Sequence, residues 1–308
     1  MNLHAAIWTV DNATSRPADF RTIQAAIDAA SVGDTLMIAG ASNLYSSFTL
    51  TKRLIIKGPG DTLSGGLVSI IGDCFISEVT DTSSPDYGGN ASGSLLEGVK
   101  FDSLYISENS QFVTVTRCEF SYLSASASNT ILTRCIGNEL IIDGPNCIAV
   151  GCRINNLGVL KEQISIDNCT IGNSTGSPII ITSSTNPTFR NTILISNSAV
   201  GTTPYSGATF DHCMAIGYAS LPTGNGNVSL ASSQRTNVFT TTTSFVLKAG
   251  GPAVGTGKNG VDMGMYGGIS PFVDNFIPAL PRITEIIVPP TVPDSSGLTF
   301  EVKAEARD

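Results

Sequence analysis

The stretches "VTVTRCEF" (113–120), "TILTRCIG" (130–137), "CIAVGCRI" (147–154) and "ISIDNCTI" (164–171) place cysteines at 118, 135, 152 and 169, seventeen residues apart. Aligned on these cysteines, Val115, Leu132, Ala149 and Ile166 stand three residues before. Phe120, Gly137, Ile154 and Ile171 stand two after, and Leu123, Leu140 and Leu157 five after, with Ile106 as the matching residue of an earlier coil. These columns are small or apolar, whereas Thr116, Arg117, Thr133, Arg134, Asp167 and Asn168 between them are polar. A short period of strand-like sequence that sorts into inward and outward columns is the signature of a solenoid, whose units bury their apolar sides only against one another.

The alternation breaks just before each cysteine. Val115 and Cys118 are three apart, so a strand of period two cannot turn both inward, and a two-residue corner ("TR", "TR", "VG", "DN") must lie between them. Coils of short strands joined by such corners stack in parallel at about 4.8 Å per turn. The repeat loosens but continues through "FRNTIL", with Thr192 in the cysteine column, and "FDHCMAI", with Cys213. The cysteines then form an interior file of small apolar thiols. In-register side chains hold their Cβ atoms about 4.8 Å apart, where a disulfide wants about 3.8 Å, so free thiols are expected. The cysteine spacing lacks the CxxC pairs of zinc sites, and the one histidine near the column, His212, falls on a corner, so no metal site is expected.

Composition fits this picture. The chain has 308 residues, 14% charged, with abundant Gly, Ser, Thr and Asn, a mixture poor for helices and rich in turns. A net charge of −8 repels a phosphate backbone, so nucleic acid is not expected as a partner. No apolar run reaches the roughly 18–20 residues of a membrane-spanning helix. "LHA" before Ala6 reads either as the end of a signal peptide whose front is missing or as the lead-in to a strand starting at Ile7. Near the start, Phe20, Ile23, Ala26, Ile27 and Ala30 recur at helical spacing, with Asp19 as N-cap and Gly33 as stop. A helix over about 20–30 can plug the open first coil, which would otherwise expose apolar side chains and unpaired backbone.

The run "FRTIQAAIDAASVGDTLMIAG…YSSFTLTKRLIIKGPG" (20–60) resembles the opening segment of right-handed parallel β-helix proteins, the pectin-lyase-like superfamily. "GTGKNGVDMGMYGG" (255–268) resembles the closing segment of secreted β-helix proteins of Bacteroidetes type, and "PFVDNFIPALPRITEIIVPP…GLTFEVKAEARD" resembles the short β tail that follows it. The resemblance implies an all-β, right-handed parallel β-helix with a lead-in over 1–15, the solenoid over 16–275 and a C-terminal β tail over 276–308. It also implies a secreted or cell-surface protein, with a polysaccharide or cell-surface glycan as partner and other surface proteins as partners of the tail. Relatives of this architecture include polysaccharide lyases, glycoside hydrolases, pectin esterases, adhesins and phage tailspikes.

Fold does not supply function, so each activity must be sought in residues. Glycoside hydrolysis needs carboxylates converging on one bond, and the Asp-Asp pair that often supplies them does not occur. Asp34, Asp61 and Asp73 follow glycine or open strands and read as turn residues. A lyase needs a Lys or Arg base, and a calcium-assisted one adds oxygen ligands around the ion; only in that case is a cofactor expected. Arg117 and Arg134 on successive corners, with Asp167, Asp211 and His212 at equivalent corners farther on, form the nearest thing to a catalytic column, although Gly151 and Asn168 interrupt it. A second outward column, four residues past the cysteine position, runs Tyr105, Tyr122, Glu139, Asn156 and Asn173 and reads either as tyrosines at ordinary exposed strand positions or as a flat strip for stacking on sugar rings. Asn138 and Asn155, one position earlier, read as a structural asparagine ladder at a turn. The favoured expectation is a non-catalytic glycan-binding, adhesive or structural module; a polysaccharide lyase and a tailspike segment are the alternatives.

Overall fold

Period-two strands broken every few residues by polar corners cannot close a flat sheet, and the chain instead winds around one core. The computed structural model describes residues 5–60, 67–79, 82–83, 88–172, 179–181, 186–195, 207–217, 220–272, 282–287 and 301–305. They form an all-β parallel β-helix, of the right-handed sense that nearly all parallel crossovers share. One ten-stranded sheet runs from Ile7–Val10 through Thr35–Ile38, Ile55–Lys57, Leu95–Glu97, Thr114–Thr116, Ile131–Thr133, Ile148–Val150, Ser165–Asp167 and Thr188–Arg190 to Thr209–Asp211. The second, twelve-stranded sheet includes Phe48–Leu50, Cys74–Ile76, Lys100–Ile106, Glu119–Ala125, Ile136–Ile142, Arg153–Val159, Thr170–Gly172, Ile193–Ile195, Met214–Ile216 and Val228–Leu230.

The register predicted from the cysteines is observed. Val115, Leu132, Ala149, Ile166, Phe189 and Phe210 oppose one another in turn, as do Phe120, Gly137, Ile154 and Ile171. Cys118, Cys135, Cys152, Cys169 and Cys213 are buried and unbridged. The backbone N–H of Cys135 donates to Cys152 Sγ at 3.4 Å and that of Cys152 to Cys169 Sγ at 3.4 Å, so the file is continuous. Thr192 takes the same role one coil on, its Oγ1 accepting from the Cys169 N–H at 3.4 Å. Burial pushes the thiols of Cys118 and Cys213 up to about 12, which keeps them protonated and poor nucleophiles.

Each corner turns on one residue in the left-handed region: Arg117, Arg134, Gly151, Asn168, Asn191 and His212. Five are not glycine, and the conformation costs such a residue roughly 1–2 kcal/mol. What holds it is the ladder: the corner N–H of Arg117 donates to Thr133 O at 3.0 Å, that of Arg134 to Val150 O at 2.9 Å, and that of Asn168 to Arg190 O at 3.0 Å. The corner thus keeps its hydrogen bond to the next coil.

Two expectations at the start of the chain need correction. The helix spans Ile23–Ala29 and its N-cap is Thr22, whose side chain accepts from the Ala25 N–H. Asp19 instead accepts from the backbone N–H and Oγ1 of Thr9, tying the lead-in strand to the helix approach. The helix ends at Ala30, before Gly33. Its buried Ile23, Ala26 and Ile27 cover the first coil as expected. In the tail, Arg282–Ile287 and Glu301–Glu305 pair antiparallel.

Candidate functional site

The proposed catalytic column separates into two groups. Arg117 donates to Glu97 Oε1 at 2.9 Å, and Glu97 also meets Lys57 Nζ at 3.1 Å, so this arginine is one arm of a half-buried ion triad. Arg134, one coil on, has no ion pair among the described residues, and its Nε is buried without a partner. Burial, helped by the neighbouring Arg117 charge, pulls its pKa down. Asp167 and Asp211 do not share the corner position of the arginines. They lie one residue earlier, in the Thr116 column, with Arg190 between them in register. Only His212 stands in the arginine column.

Around Asp211 the structure gathers side chains from three coils and the closing segment. Arg190 Nη1 lies 3.5 Å from Asp167 Oδ2, and Arg190 Nε lies 3.9 Å from Asp211 Oδ2. Lys258 Nζ meets Asp211 Oδ2 at 2.5 Å and His212 Nδ1 meets its Oδ1 at 2.7 Å. These hydrogen bonds, Lys258 first, hold the Asp211 carboxyl below the usual carboxylate range. Asp167 is shifted the other way, upward, by burial, with Arg190 opposing.

Lys258 belongs to the closing segment "GTGKNGVDMGMYGG", and its neighbours show what this cluster does. The N–H of Lys258 donates to Asn191 Oδ1 at 2.7 Å, that of Gly264 to Asn191 O at 2.6 Å and that of Met265 to Thr170 Oγ1 at 3.1 Å, while Asn168 Nδ2 donates to Asp262 O at 3.1 Å. The segment lies along the corners. Gly151 shows how closely: a Cβ there would sit 2.4 Å from Ser270 O. At Gly264 (φ +81°) a Cβ would approach Ile193 Cδ1 to 2.8 Å. The corner charges and amides therefore brace the segment that closes the solenoid.

The outer face of the second sheet offers a different surface. In register across the coils lie Ser103, Tyr122, Glu139 and Asn156, as expected for the last three. Tyr105 does not join them. The coil from Lys100 to Glu119 is nineteen residues long, two more than the period, so Tyr105 opposes Ser124 and Leu104, rather than Ile106, opposes Leu123. Tyr105 still reaches Tyr122 diagonally, ring centroids 5.6 Å apart at 45°, and stacks on Phe75 at 5.0 Å and 9°. Phe75 and Tyr105, on neighbouring parallel strands, therefore turn their faces to one another, while Tyr122 is tilted against Tyr105. They do not form the flat platform the spacing suggested; Phe75 (44% exposed) and Tyr105 (36%) present largely their edges.

Beside them runs a polar lattice. Within each long strand, pairing skips one residue, Asp102, Ser121, Asn138 or Asn155, where the strand bends and the side chain stands outward. Asn155 Nδ2 donates to Asn138 Oδ1 at 3.2 Å, and Asn156 Nδ2 to Asn138 O at 3.4 Å, so the asparagine ladder exists, at a bend inside the strands. Asn173 lies outside the described residues. Of the glycine-linked acids, Asp34 is structural, accepting from Ala6 N, Ser31 N and Trp8 Nε1; Asp73 is exposed, and Asp61 lies outside the described residues.

No family model matches the chain, and no curated protein matches it. Three solved chains do. One is the pectin methylesterase from Aspergillus niger, 15% identical, covering 73% of this chain and 83% of that chain, with a TM-score of 0.36. At that distance no site residue carries over.

Residues absent from the expectation complete the picture. Phe75 was legible as the outward residue between inward Cys74 and Ile76. Arg190 was legible as the register partner of Asp167, because it stands two residues before Thr192 as Asp167 stands two before Cys169. Lys258 was not legible, because it arrives from 47 residues beyond Asp211 through irregular chain.

Proposed function

We propose that the protein is a non-catalytic, polysaccharide-binding β-helix of the cell surface or secreted space, and that glycan lies along the outer face of the second sheet between Phe75 and Asn156. The observation that supports this is the lattice itself. Ser103, Tyr122, Glu139 and Asn156, with Asp102, Ser121, Asn138 and Asn155 beside them, hold hydroxyl, carboxylate and amide groups at about 4.8 Å intervals on rigid parallel strands. Such groups match the alternating donors and acceptors of sugar hydroxyls. The ring edges of Phe75, Tyr105 and Tyr122 give the lattice an apolar border. Of the charged residues a lyase would draw on, Arg117 is engaged by Glu97, and Asp167 and Asp211 by Arg190 and Lys258, which leaves Arg134 as the residue to test.

Affinity electrophoresis against neutral and acidic polysaccharides tests the reading. Asn156→Ala and Glu139→Gln are expected to weaken retention about 3–10-fold each, the equivalent of one lost hydrogen bond. Release of unsaturated sugar product, abolished by Arg134→Ala, would replace the binding module with a lyase.

A further inference from the structure

Where the second sheet meets the chain that follows the last coil, two arginines converge on one ring. Arg153 Cζ lies 4.1 Å from the centroid of Phe245 and Arg235 Cζ lies 5.3 Å from the same centroid. Arg235 also lies 5.5 Å from the centroid of Phe239. Arg153 begins a strand of the second sheet; Arg235 opens a short helical turn in the covering segment. Neither guanidinium has a carboxylate partner among the described residues, and the Nε of each is buried with no hydrogen bond. Arg153 Nη2 donates to Asn155 Oδ1 at 3.4 Å, and Tyr266 and Glu119 lie near enough to favour its charge.

This is an unusual use of charge. The chain carries 25 acidic residues against 17 basic ones, so counter-ions are plentiful, yet among the described residues no carboxylate forms an ion pair with either cation. Glu119, which faces Arg153 along the same column, is held by Lys100 at 2.7 Å. Stacking on Phe245 orients both planar groups but leaves the Nε–H of each without an acceptor, and the Arg153 charge bears on Arg235. A guanidinium presents a fork of donors that matches an oxyanion, and two forks on one ring would share it.

We infer that Arg153 and Arg235 form a binding site for an oxyanion, a carboxylate or a sulfate group, at the seam between the β-helix and its covering segment. The inference stands apart from glycan binding by the lattice, because a small anion suffices to fill the site. Should both hold, an anionic substituent on a chain bound past Asn156 would reach Arg153 through Asn155.

The test is a titration of the intact protein with sodium sulfate and, separately, sodium acetate at constant ionic strength, reading arginine side-chain Nε–H resonances by NMR. Saturable shifts confined to Arg153 and Arg235 are expected, with affinity reduced about tenfold or more in Arg153→Gln. Arg153→Lys, which keeps the charge but loses the fork, should recover part of it. Saturation by sulfate alone identifies a sulfate site, and by acetate alone a carboxylate site; either supports the inference. Non-saturating drift with both salts in the wild-type protein overturns it, whatever the variants do, and leaves the pair as a packing device. Because the readout uses no polysaccharide, its failure leaves the lattice untouched, and failure of glycan retention leaves this site untouched.

Discussion

The second sheet has one outer face with two fates. Along Glu119–Ala125 and Ile136–Ile142 buried residues are interleaved with partly exposed ones, and Ser121, Tyr122, Asn138 and Glu139 face outward beside Ile136 and Ile141. Along Thr170–Gly172, Ile193–Ile195 and Met214–Ile216 every residue is buried. The cause is the segment after the last coil, whose Val238, Phe239, Ala253 and Met263 pack on Ile193, Ile195, Met214 and Ile216 in a cluster of their own. The same strand position is thus a solvent-facing surface in the middle of the spiral and a second core near its end. The lesson is that a solenoid needs closing sideways as well as endwise, and only the uncovered stretch is available to a ligand.

The sharpest way to break the contrast is to remove a cover residue. Phe239 is 0% exposed, and Phe239→Ala should destabilise the protein by about 3–5 kcal/mol through lost burial and the cavity left behind, read as a lower urea midpoint. A loss below about 1 kcal/mol would mean that the cover is loosely applied and the late strands are not a true core.

Next in size are the asparagines that tie the cover to the corners. Asn168 (6% exposed) and Asn191 (5%) both occupy the left-handed region and bond the closing segment. Asn191→Ala should cost about 2–4 kcal/mol, combining lost hydrogen bonds with backbone strain. Asn191→Gly removes the amide without the strain and should cost less. Equal losses would show that the amide contacts, rather than the backbone conformation, decide the corner.

Much of this was legible beforehand, and what was missed has a common cause. The seventeen-residue period gave the coils, the corners, the thiol file and the Tyr122–Glu139–Asn156 column because each follows from local spacing. Tyr105 was misplaced because one coil carries two extra residues, and a one-dimensional count cannot see where a loop absorbs them. The covering segment was missed although "ILI" and "MAI" signalled it: continuous apolar triplets are how strands buried on both faces read. The stacking of Phe75 on Tyr105 followed from parallel registration alone, but ring orientation is fixed by packing and not by sequence position.

A smaller effect is expected from pH. Asp211 has a lowered folded pKa, so its contribution to holding Lys258 is present above the unfolded carboxylate value and is lost as pH falls through the folded one. Asp167 is raised and acts oppositely: the folded state favours its protonated form, so stability from it declines as pH rises from the unfolded value through the folded one. Amide protection in residues 257–265, taken against the intrinsic exchange rate at each pH, should therefore fall below about pH 4, and Asp211→Asn should flatten that dependence. An unchanged profile in Asp211→Asn would assign the bracing to Asn168, Asn191 and Thr170 without the carboxylate.

The smallest expected effect carries the functional reading. Asn156 is on the uncovered face and the hydrogen bond of its side chain to Asn138 O is long at 3.4 Å. Asn156→Ala should change stability by no more than about 0.5 kcal/mol, as surface substitutions away from structural networks do. That near-neutrality is what a residue kept for a ligand should show, in contrast to Asn191, whose amide is committed to the fold. If Asn156→Ala instead costs as much as Asn191→Ala, the asparagine ladder is a structural spine like the corners, its groups are not free to meet sugar hydroxyls, and the middle of the second sheet ceases to be a binding surface.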